Sequence, residues 1–187
     1  MTGQCPKKRK KLYGRKEKIL AISGSTSLNS ANLSILKIIA ELRQSNFDLN
    51  ILDDLTDLPH FKVELTEKNV PEKIVEFRNR ITGSDGIIIC TPEYVFSIPS
   101  RLKNAVEWCV SKTVFSNKPT GLITASVSGD KGHKELKLIM KTVQAKFTDQ
   151  TMLLIKGVKG KVNKDGKIVD EKTTSELKKF VLSSLLI

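Results

Sequence analysis

Short apolar runs alternate with segments of helical periodicity along this sequence, and this alternation constrains the fold more than any other feature. The apolar runs predict strands over residues 18–23, 86–90, 119–125 and 151–155, and alternating apolar and polar residues predict a fifth strand, exposed on one face, over 47–52. Apolar residues at helical spacing predict helices over 32–42, 71–82, 99–111, 132–146 and 171–185. Strands that alternate with helices imply a parallel sheet covered on both faces, although the alternation itself leaves the strand order open.

Length and composition are those of one soluble globular domain. The chain has 187 residues, of which 39% are hydrophobic and 28% are charged. No apolar run approaches the roughly 20 residues needed to span a bilayer. Cys5, Cys90 and Cys109 lack CxxC spacing, and Cys90 and Cys109 are predicted to be reduced core thiols, which favours a cytoplasmic location. His60 and His133 belong to no metal-binding pattern, so no metal site is predicted.

The net charge of +12 is concentrated near the start of the chain. Residues 1–18 carry eight Lys or Arg and one Glu, a local charge of +7 that leaves +5 for the rest. Residues 1–17 are therefore predicted to be a basic, disordered tail ahead of a single domain over 18–187. The tail could bind a polyanion or direct nuclear import, or it could be a solvated extension, a wrongly assigned start or an expression remnant.

Two polar loops follow predicted strands. The first, over residues 24–32, is rich in hydroxyls and leads into a helix, which makes it a candidate phosphate site. Ser30 or Asn29 could instead simply cap that helix, and the two roles are compatible. The second loop begins at Pro92, directly after the apolar run 86–90. Parallel α/β sheets bind ligands at the carboxyl ends of their strands, where both loops are expected.

The spacing of residues in these loops resembles that of a known family. The first loop has the pattern Gly24-Ser25-x-x-x-x-Ser30-x-Asn32. The second has Pro92-Glu93-Tyr94-x-x-Ser97-x-Pro99-x-x-Leu102-Lys103-Asn104-Ala105-x-x-Trp108. Together, over roughly residues 18–155, they resemble the NAD(P)H-dependent FMN reductases, which include quinone, chromate and azo-dye reductases. The resemblance implies a flavodoxin-like three-layer α/β sandwich with a five-stranded parallel sheet in the order 2-1-3-4-5 and helices on both faces.

The resemblance also implies a set of FMN-binding residues. The first loop would hold the phosphate through Ser25, Ser27, Ser30 and Asn32. The second would meet the isoalloxazine ring and ribityl chain through Pro92, Glu93, Tyr94, Val95 and Ser97. A third segment would line the pyrimidine edge of the ring through Ser126, Ser128 and Gly129. No residue is predicted to be strictly catalytic, because the flavin carries the chemistry.

Two positions depart from the family pattern. Ser27 stands where arginine is usual, and Val95 stands where asparagine is common. Both changes remove polar groups, so we expect FMN binding to be retained but weaker. The part played by Glu93 is left open between its backbone and its carboxylate. Trp108 is predicted to pack or to form a subunit interface, and His133 to be a solvated or capping side chain.

An oxidoreductase follows from the resemblance. It would pass hydride from NADH or NADPH through bound FMN to a quinone, a flavin or a similar small acceptor, as a cytoplasmic homodimer or homotetramer. The alternative is a flavodoxin-type electron carrier that does not oxidise NAD(P)H directly, although such carriers are typically acidic. A third hypothesis is nucleic-acid binding through the basic tail.

Overall fold

The computed structural model describes residues 15–27, 29–42 and 47–184. Strands and helices alternate through this part of the chain. They are β1 (Glu17–Ser23), α1 (Ala31–Leu42), β2 (Phe47–Leu52), α2 (Glu72–Thr82), β3 (Gly86–Thr91), α3 (Ser100–Glu107), β4 (Thr120–Ser126), α4 (Asp130–Thr142), β5 (Met152–Lys156) and α5 (Glu171–Ser184). Short 3-10 turns cover Val63–Leu65, Val110–Lys112, Asp149–Thr151 and Val158–Gly160.

The five strands form one parallel sheet in the order β2-β1-β3-β4-β5. This is the order that the resemblance implied, so the prediction of a flavodoxin-like α/β fold is confirmed. The sheet register places Ser23 beside Cys90, and Thr91 beside Thr124. The ends of β1, β3 and β4 therefore lie next to one another at the carboxyl edge, which brings together the loops that follow them.

Helices cover both faces of the sheet because successive strand residues point to opposite sides. On one face, Ala21, Ile88 and Ile123 pack with apolar residues of α1 and α5. On the other face, Ile22, Ile89 and Leu122 pack with α2, α3 and α4; the packed helix residues include Phe77, Ile81, Leu102, Ala105, Leu136 and Met140. Because both faces are buried, the central strand β3 reads as a continuous apolar run, whereas the edge strand β2 alternates apolar with polar residues.

Two helices end several residues before their predicted bounds. The sequence predicts a helix to residue 111, but α3 ends at Glu107, where the Arg78 guanidinium donates to the Trp108 carbonyl. The sequence also predicts a helix over 132–146, whereas α4 covers Asp130–Thr142. Gln144 adopts a left-handed φ of 60°, which α-helical geometry does not allow and which ends the helix.

Most of the predicted basic tail, residues 1–14, lies outside the described residues, as does Cys5. Arg15 donates to the Asp85 carboxylate over 3.0 Å, and β1 begins at Glu17. Disorder of the tail stays a prediction. None of the helices in the described part of the chain combines the length and the apolar character that crossing a membrane requires.

Candidate functional site

The first loop joins β1 to α1 and carries the side chains predicted to hold a phosphate. The Ser25 hydroxyl oxygen accepts a bond from the Ser27 N–H over 3.2 Å. The Ser30 hydroxyl oxygen accepts from the Leu33 N–H over 3.1 Å, so Ser30 caps α1. Each hydroxyl can still donate its own proton to an anion. Since α1 has no acidic residue in its first turn, the loop is chemically fit to hold a phosphate.

Asn32 lies in the first turn of α1, but its side chain is engaged in the core. Its amide donates to the Ala125 carbonyl over 3.2 Å, and its oxygen accepts from the Cys90 thiol over 3.4 Å. The residue is only 4% exposed. A contact between the Asn32 amide and a phosphate stays a prediction. In such a contact the amide would have to bond the phosphate as well as the residues of β3 and β4 that it already bonds.

Gly24 allows the first loop to pass close to β3 and α3. Its N–H donates to the Cys90 carbonyl over 2.9 Å. A Cβ at this position would lie against the Thr91 hydroxyl oxygen, 2.8 Å from the Thr91 Cβ and 2.9 Å from a Leu102 methyl. Glycine is therefore required at this position, because the available space excludes any side chain.

The second loop contains a two-residue hairpin. Tyr94 and Ser97 exchange backbone hydrogen bonds of 2.9 and 3.0 Å, which leaves Val95 and Phe96 at the tip. Both tip residues have left-handed backbones, with φ of 51° and 60°. Their side chains are 95% and 72% exposed. Such turns strongly favour Asn-Gly, so a valine and a phenylalanine here store backbone strain beside the candidate site.

Glu93 joins the second loop to the third. Its carboxylate accepts from the Gly132 N–H over 2.7 Å, and from the Gly129 N–H and the Ser128 hydroxyl over 3.3 Å each. Its backbone carbonyl accepts from the Ser126 hydroxyl over 3.4 Å. The hydrogen bond from Gly132, with those from Gly129 and other donors of this segment, lowers the pKa of Glu93 below its ordinary value. The sequence analysis left open whether Glu93 acts through its backbone or through its carboxylate. In the structure, both carboxylate oxygens accept hydrogen bonds from the segment Ser128–Gly132.

The predicted pyrimidine-edge residues therefore lie beside the second loop. Ser126, Ser128 and Gly129 are brought together with Glu93, and each directs a donor to it. Pro92 is buried at the start of the loop, and Tyr94 is 41% exposed beside the hairpin. The edge thus gathers the predicted residues of all three loops, while contacts between these residues and FMN stay predictions.

The family-like motif continues into α3, where its polar residues hold a different segment. The Asn104 amide donates to the Pro59 carbonyl over 3.0 Å, and its oxygen accepts from the Phe61 N–H over 2.8 Å. The Trp108 indole N–H also donates to the Pro59 carbonyl, over 2.8 Å. Trp108 is fully buried and meets the Phe61 ring edge-on at 5.3 Å. The packing role predicted for Trp108 is correct within this chain.

Three further residues shape the site beyond the predicted FMN contacts. Glu135, for which the sequence offers no signal, accepts from the Ile98 N–H over 2.9 Å and fixes the far end of the second loop to α4. His133, predicted to be a solvated or capping side chain, is not solvated, because it is half-buried and its Nδ1 bonds the Thr124 hydroxyl over 2.9 Å. Burial lowers the pKa of His133. Gly132 lets Glu93 and the hairpin approach α4 closely.

Cys90 and Cys109 are both buried, free thiols. Burial raises the pKa of Cys109 to about 12 and raises that of Cys90 further still. Neither thiol is a nucleophile at neutral pH, because only the thiolate reacts. Within the described residues, no group of three or more His, Cys, Asp or Glu is placed to hold a metal ion.

Comparison with known proteins gives one consistent family. A sequence model of the family described as NADPH-dependent FMN reductase matches residues 17–157. The chain is 29% identical over 178 residues to the NADH:(hydroxy)cinnamate reductase subunit CrdA of Vibrio ruber, covering 90% of this chain and 87% of that protein. It is 28% identical over 170 residues to a 2-hydroxy-1,4-benzoquinone reductase of a Burkholderia species, covering 88% and 92%.

Among solved structures, the chain is similar to FerB, described as a flavoenzyme NAD(P)H:(acceptor) oxidoreductase, from Paracoccus denitrificans. The TM-score is 0.79 at 26% sequence identity, and the match covers 90% of this chain and 95% of that chain. The likeness therefore covers most of both chains.

Proposed function

The chain belongs to the NADPH-dependent FMN reductase family, and from this premise we propose that it passes hydride from NADH or NADPH through FMN to a quinone or a flavin. Membership makes the chain an oxidoreductase that uses FMN and a nicotinamide cofactor. The relative named as a 2-hydroxy-1,4-benzoquinone reductase supports the choice of quinones as acceptors.

The observation that carries this proposal is the gathering of three loops at one edge of the sheet, within the segment that matches the family. We assign the phosphate to the loop before α1, with Ser25, Ser27, Ser30 and Asn32 as its contacts. We assign the isoalloxazine ring and the ribityl chain to the loop after β3, with Pro92, Glu93, Tyr94, Val95 and Ser97. We assign the pyrimidine edge to the loop after β4, with Ser126, Ser128 and Gly129.

Bound FMN would supply the hydride chemistry, taking hydride from the reduced nicotinamide and delivering reducing equivalents to the acceptor. The chain's own part is to bind and orient. The α1 N–H groups and the Ser25 and Ser30 hydroxyls would donate hydrogen bonds to the phosphate. The hairpin of Tyr94 to Ser97 offers backbone groups in a fixed shape.

An anaerobic titration tests the activity. FMN-reconstituted protein is mixed with NADH and with NADPH, and the loss of the oxidised flavin absorbance is followed with time. Rapid bleaching, and recovery of the absorbance on addition of a quinone, is the expected result. Protein that takes up FMN but is reduced only slowly by both nicotinamides would contradict hydride transfer, and protein that fails to take up FMN would contradict the cofactor site.

A matched pair of serine variants tests the phosphate assignment. Ser25→Ala should weaken FMN binding about tenfold, because one hydrogen bond to a charged group is lost, and should leave riboflavin binding unchanged. Ser116→Ala is the control, since the Ser116 hydroxyl bonds Gln144 away from the three loops. Equal weakening of FMN and riboflavin by Ser25→Ala would show that the phosphate lies elsewhere.

The remaining expectations are proposed on the same premise. We treat residues 18–187 as one FMN-binding domain, and we propose a homodimer or homotetramer that works in the cytoplasm. The exposed apolar side chains of Phe96 and Val127, on the two loops joined by Glu93, support an interface beside the site. Sedimentation equilibrium with and without FMN measures the assembly, and a monomer at micromolar concentration would contradict it.

A further inference from the structure

Helix α4 begins without the cap that its first turn needs. The residue before the helix is Gly129, which has no side chain with which to accept from the first N–H groups. Gly129 adopts a left-handed φ of 86°, and a Cβ there would lie 2.8 Å from a Leu154 methyl. A capping serine, threonine or aspartate is thereby excluded from this position.

Glu93 supplies the missing cap from another part of the chain. Its carboxylate accepts from Gly132, the third residue of α4, and from Gly129 itself. The negative charge also lies at the positive end of the α4 dipole, where it is most favourable. A residue of the loop after β3 thus completes a helix that follows β4.

Close approach makes this contact possible. A Cβ on Gly132 would lie 3.1 Å from the Glu93 Cβ, 3.2 Å from its Cγ and 3.3 Å from the Ser97 carbonyl oxygen. Any side chain at Gly132 would therefore push both Glu93 and the hairpin away from α4. The far end of the hairpin is held as well, since the Ile98 N–H donates to Glu135 on the next turn of α4.

We propose that Glu93 is a positioning residue of the FMN site, which fixes the strained Tyr94–Ser97 hairpin against α4 before the cofactor binds. This inference rests on the proposed function. Left-handed valine and phenylalanine backbones persist only where surrounding contacts over-determine them, and Glu93 provides those contacts at the base of the hairpin. Ser128 and Gly129 therefore have a second role beside the pyrimidine edge, which is to hold Glu93.

A pre-formed hairpin has a measurable consequence for affinity. When only a fraction of the protein has the binding-competent loop, the apparent dissociation constant rises by the inverse of that fraction. Glu93→Ala should therefore weaken FMN binding about tenfold or more, and Glu93→Gln, which keeps one acceptor oxygen, should weaken it by about threefold. The visible circular dichroism of bound FMN should change in both variants.

Gly132→Ala tests the same contact without altering any charge. Alanine is a better helix former than glycine, and this gain opposes the loss of the Glu93 cap. We therefore expect the apo protein to melt close to wild type while FMN binding weakens. Glu107→Gln is the control, since Glu107 pairs with Lys103 on α3 and touches none of the three loops. Its FMN affinity should stay within about twofold of wild type.

Amide exchange of the apo protein separates this proposal from the proposed function. In wild type, the Gly132 N–H should exchange slowly because Glu93 accepts it, and in Glu93→Ala it should exchange faster. The Leu33 N–H, capped by Ser30 on α1, should be unchanged. Unchanged exchange at Gly132 in Glu93→Ala would overturn the proposal, whether or not the protein binds FMN. Equal FMN affinity of wild type, Glu93→Ala and Gly132→Ala would also overturn it, whereas failure of wild type to bind FMN would contradict the proposed function alone.

Discussion

Val95 allows the backbone strain of the hairpin to be measured. A left-handed backbone costs an L-residue about 1–2 kcal/mol, and asparagine adopts it far more readily than a β-branched residue does. The Val95 side chain is 95% exposed, so Val95→Asn gives up no burial that could offset the gain. We therefore expect Val95→Asn to raise the free energy of unfolding by about 1 kcal/mol, which is about 2–4 °C in melting temperature for a domain of this size.

The measurement is urea unfolding of the apo protein, followed by far-ultraviolet circular dichroism. The midpoint should rise while the slope m stays constant, because the surface exposed on unfolding does not change. Val95→Gly should give a smaller gain, about 0.5 kcal/mol, since glycine adds freedom to the unfolded chain.

Val169→Asn is the matched control, because Val169 is also exposed and lies outside the set of left-handed residues in the described chain. If Val95→Asn is no more stable than wild type, or if Val169→Asn gains as much, the strain argument is wrong. A tighter FMN complex of Val95→Asn would in addition agree with the weaker binding that the sequence predicts for valine at this position.

Three further outcomes are expected from buried and capping groups. Asn104→Ala should lower the free energy of unfolding by about 2 kcal/mol, because two hydrogen bonds to the Pro59–Phe61 segment are lost. Asn50→Ala is the control and should change the free energy of unfolding little, because Asn50 makes an exposed contact with Arg80. Equal effects of the two substitutions would contradict this reasoning. Cys90 and Cys109 should resist iodoacetamide in the folded protein and react after unfolding, as peptide mapping by mass spectrometry would show; rapid labelling of the native protein would refute their burial. Since the pKa of Glu93 is lower in the folded protein than its ordinary 4.5, its stabilisation is full above about pH 4.5 and is lost as the pH falls through the folded pKa. The stability difference between wild type and Glu93→Gln should therefore shrink in acid, and a constant difference would contradict the assignment.

The fold could be predicted because its signals are local. Residues 86–90 are apolar without interruption, which is typical of a strand buried on both faces, and β3 is buried along its whole length. Pro71 marks the start of α2, which it directly precedes as the capping residue. The strand order was predicted from the family resemblance, because the alternation of strands and helices alone leaves the order open. The ends of α3 and α4 were missed because a distant guanidinium and a left-handed residue set them.

The site could be located from the sequence more readily than its contacts could. Loops that follow parallel strands meet at one edge, so the positions of Ser25, Glu93 and Ser128 were predictable from the strands before them. Their partners were not, because each contact depends on distance in space. The bond from Gly132 to Glu93 spans 39 residues, and the bond from Asn32 to Ala125 spans 93. No local pattern reveals either pairing.

The hydrogen-bond donors at the starts of α1 and α4 differ in whether they already have a partner within the protein. At α4, the N–H groups of Gly129 and Gly132 and the Ser128 hydroxyl are all directed to Glu93, whose negative charge also repels a phosphate. At α1, the Ser25 and Ser30 oxygens act as acceptors within the loop and keep their own protons to donate. The two helix starts are therefore not equivalent. The start of α4 is closed by the protein's own carboxylate, and this supports the proposal that the start of α1 holds the phosphate and that the Glu93 junction lies beside the ring.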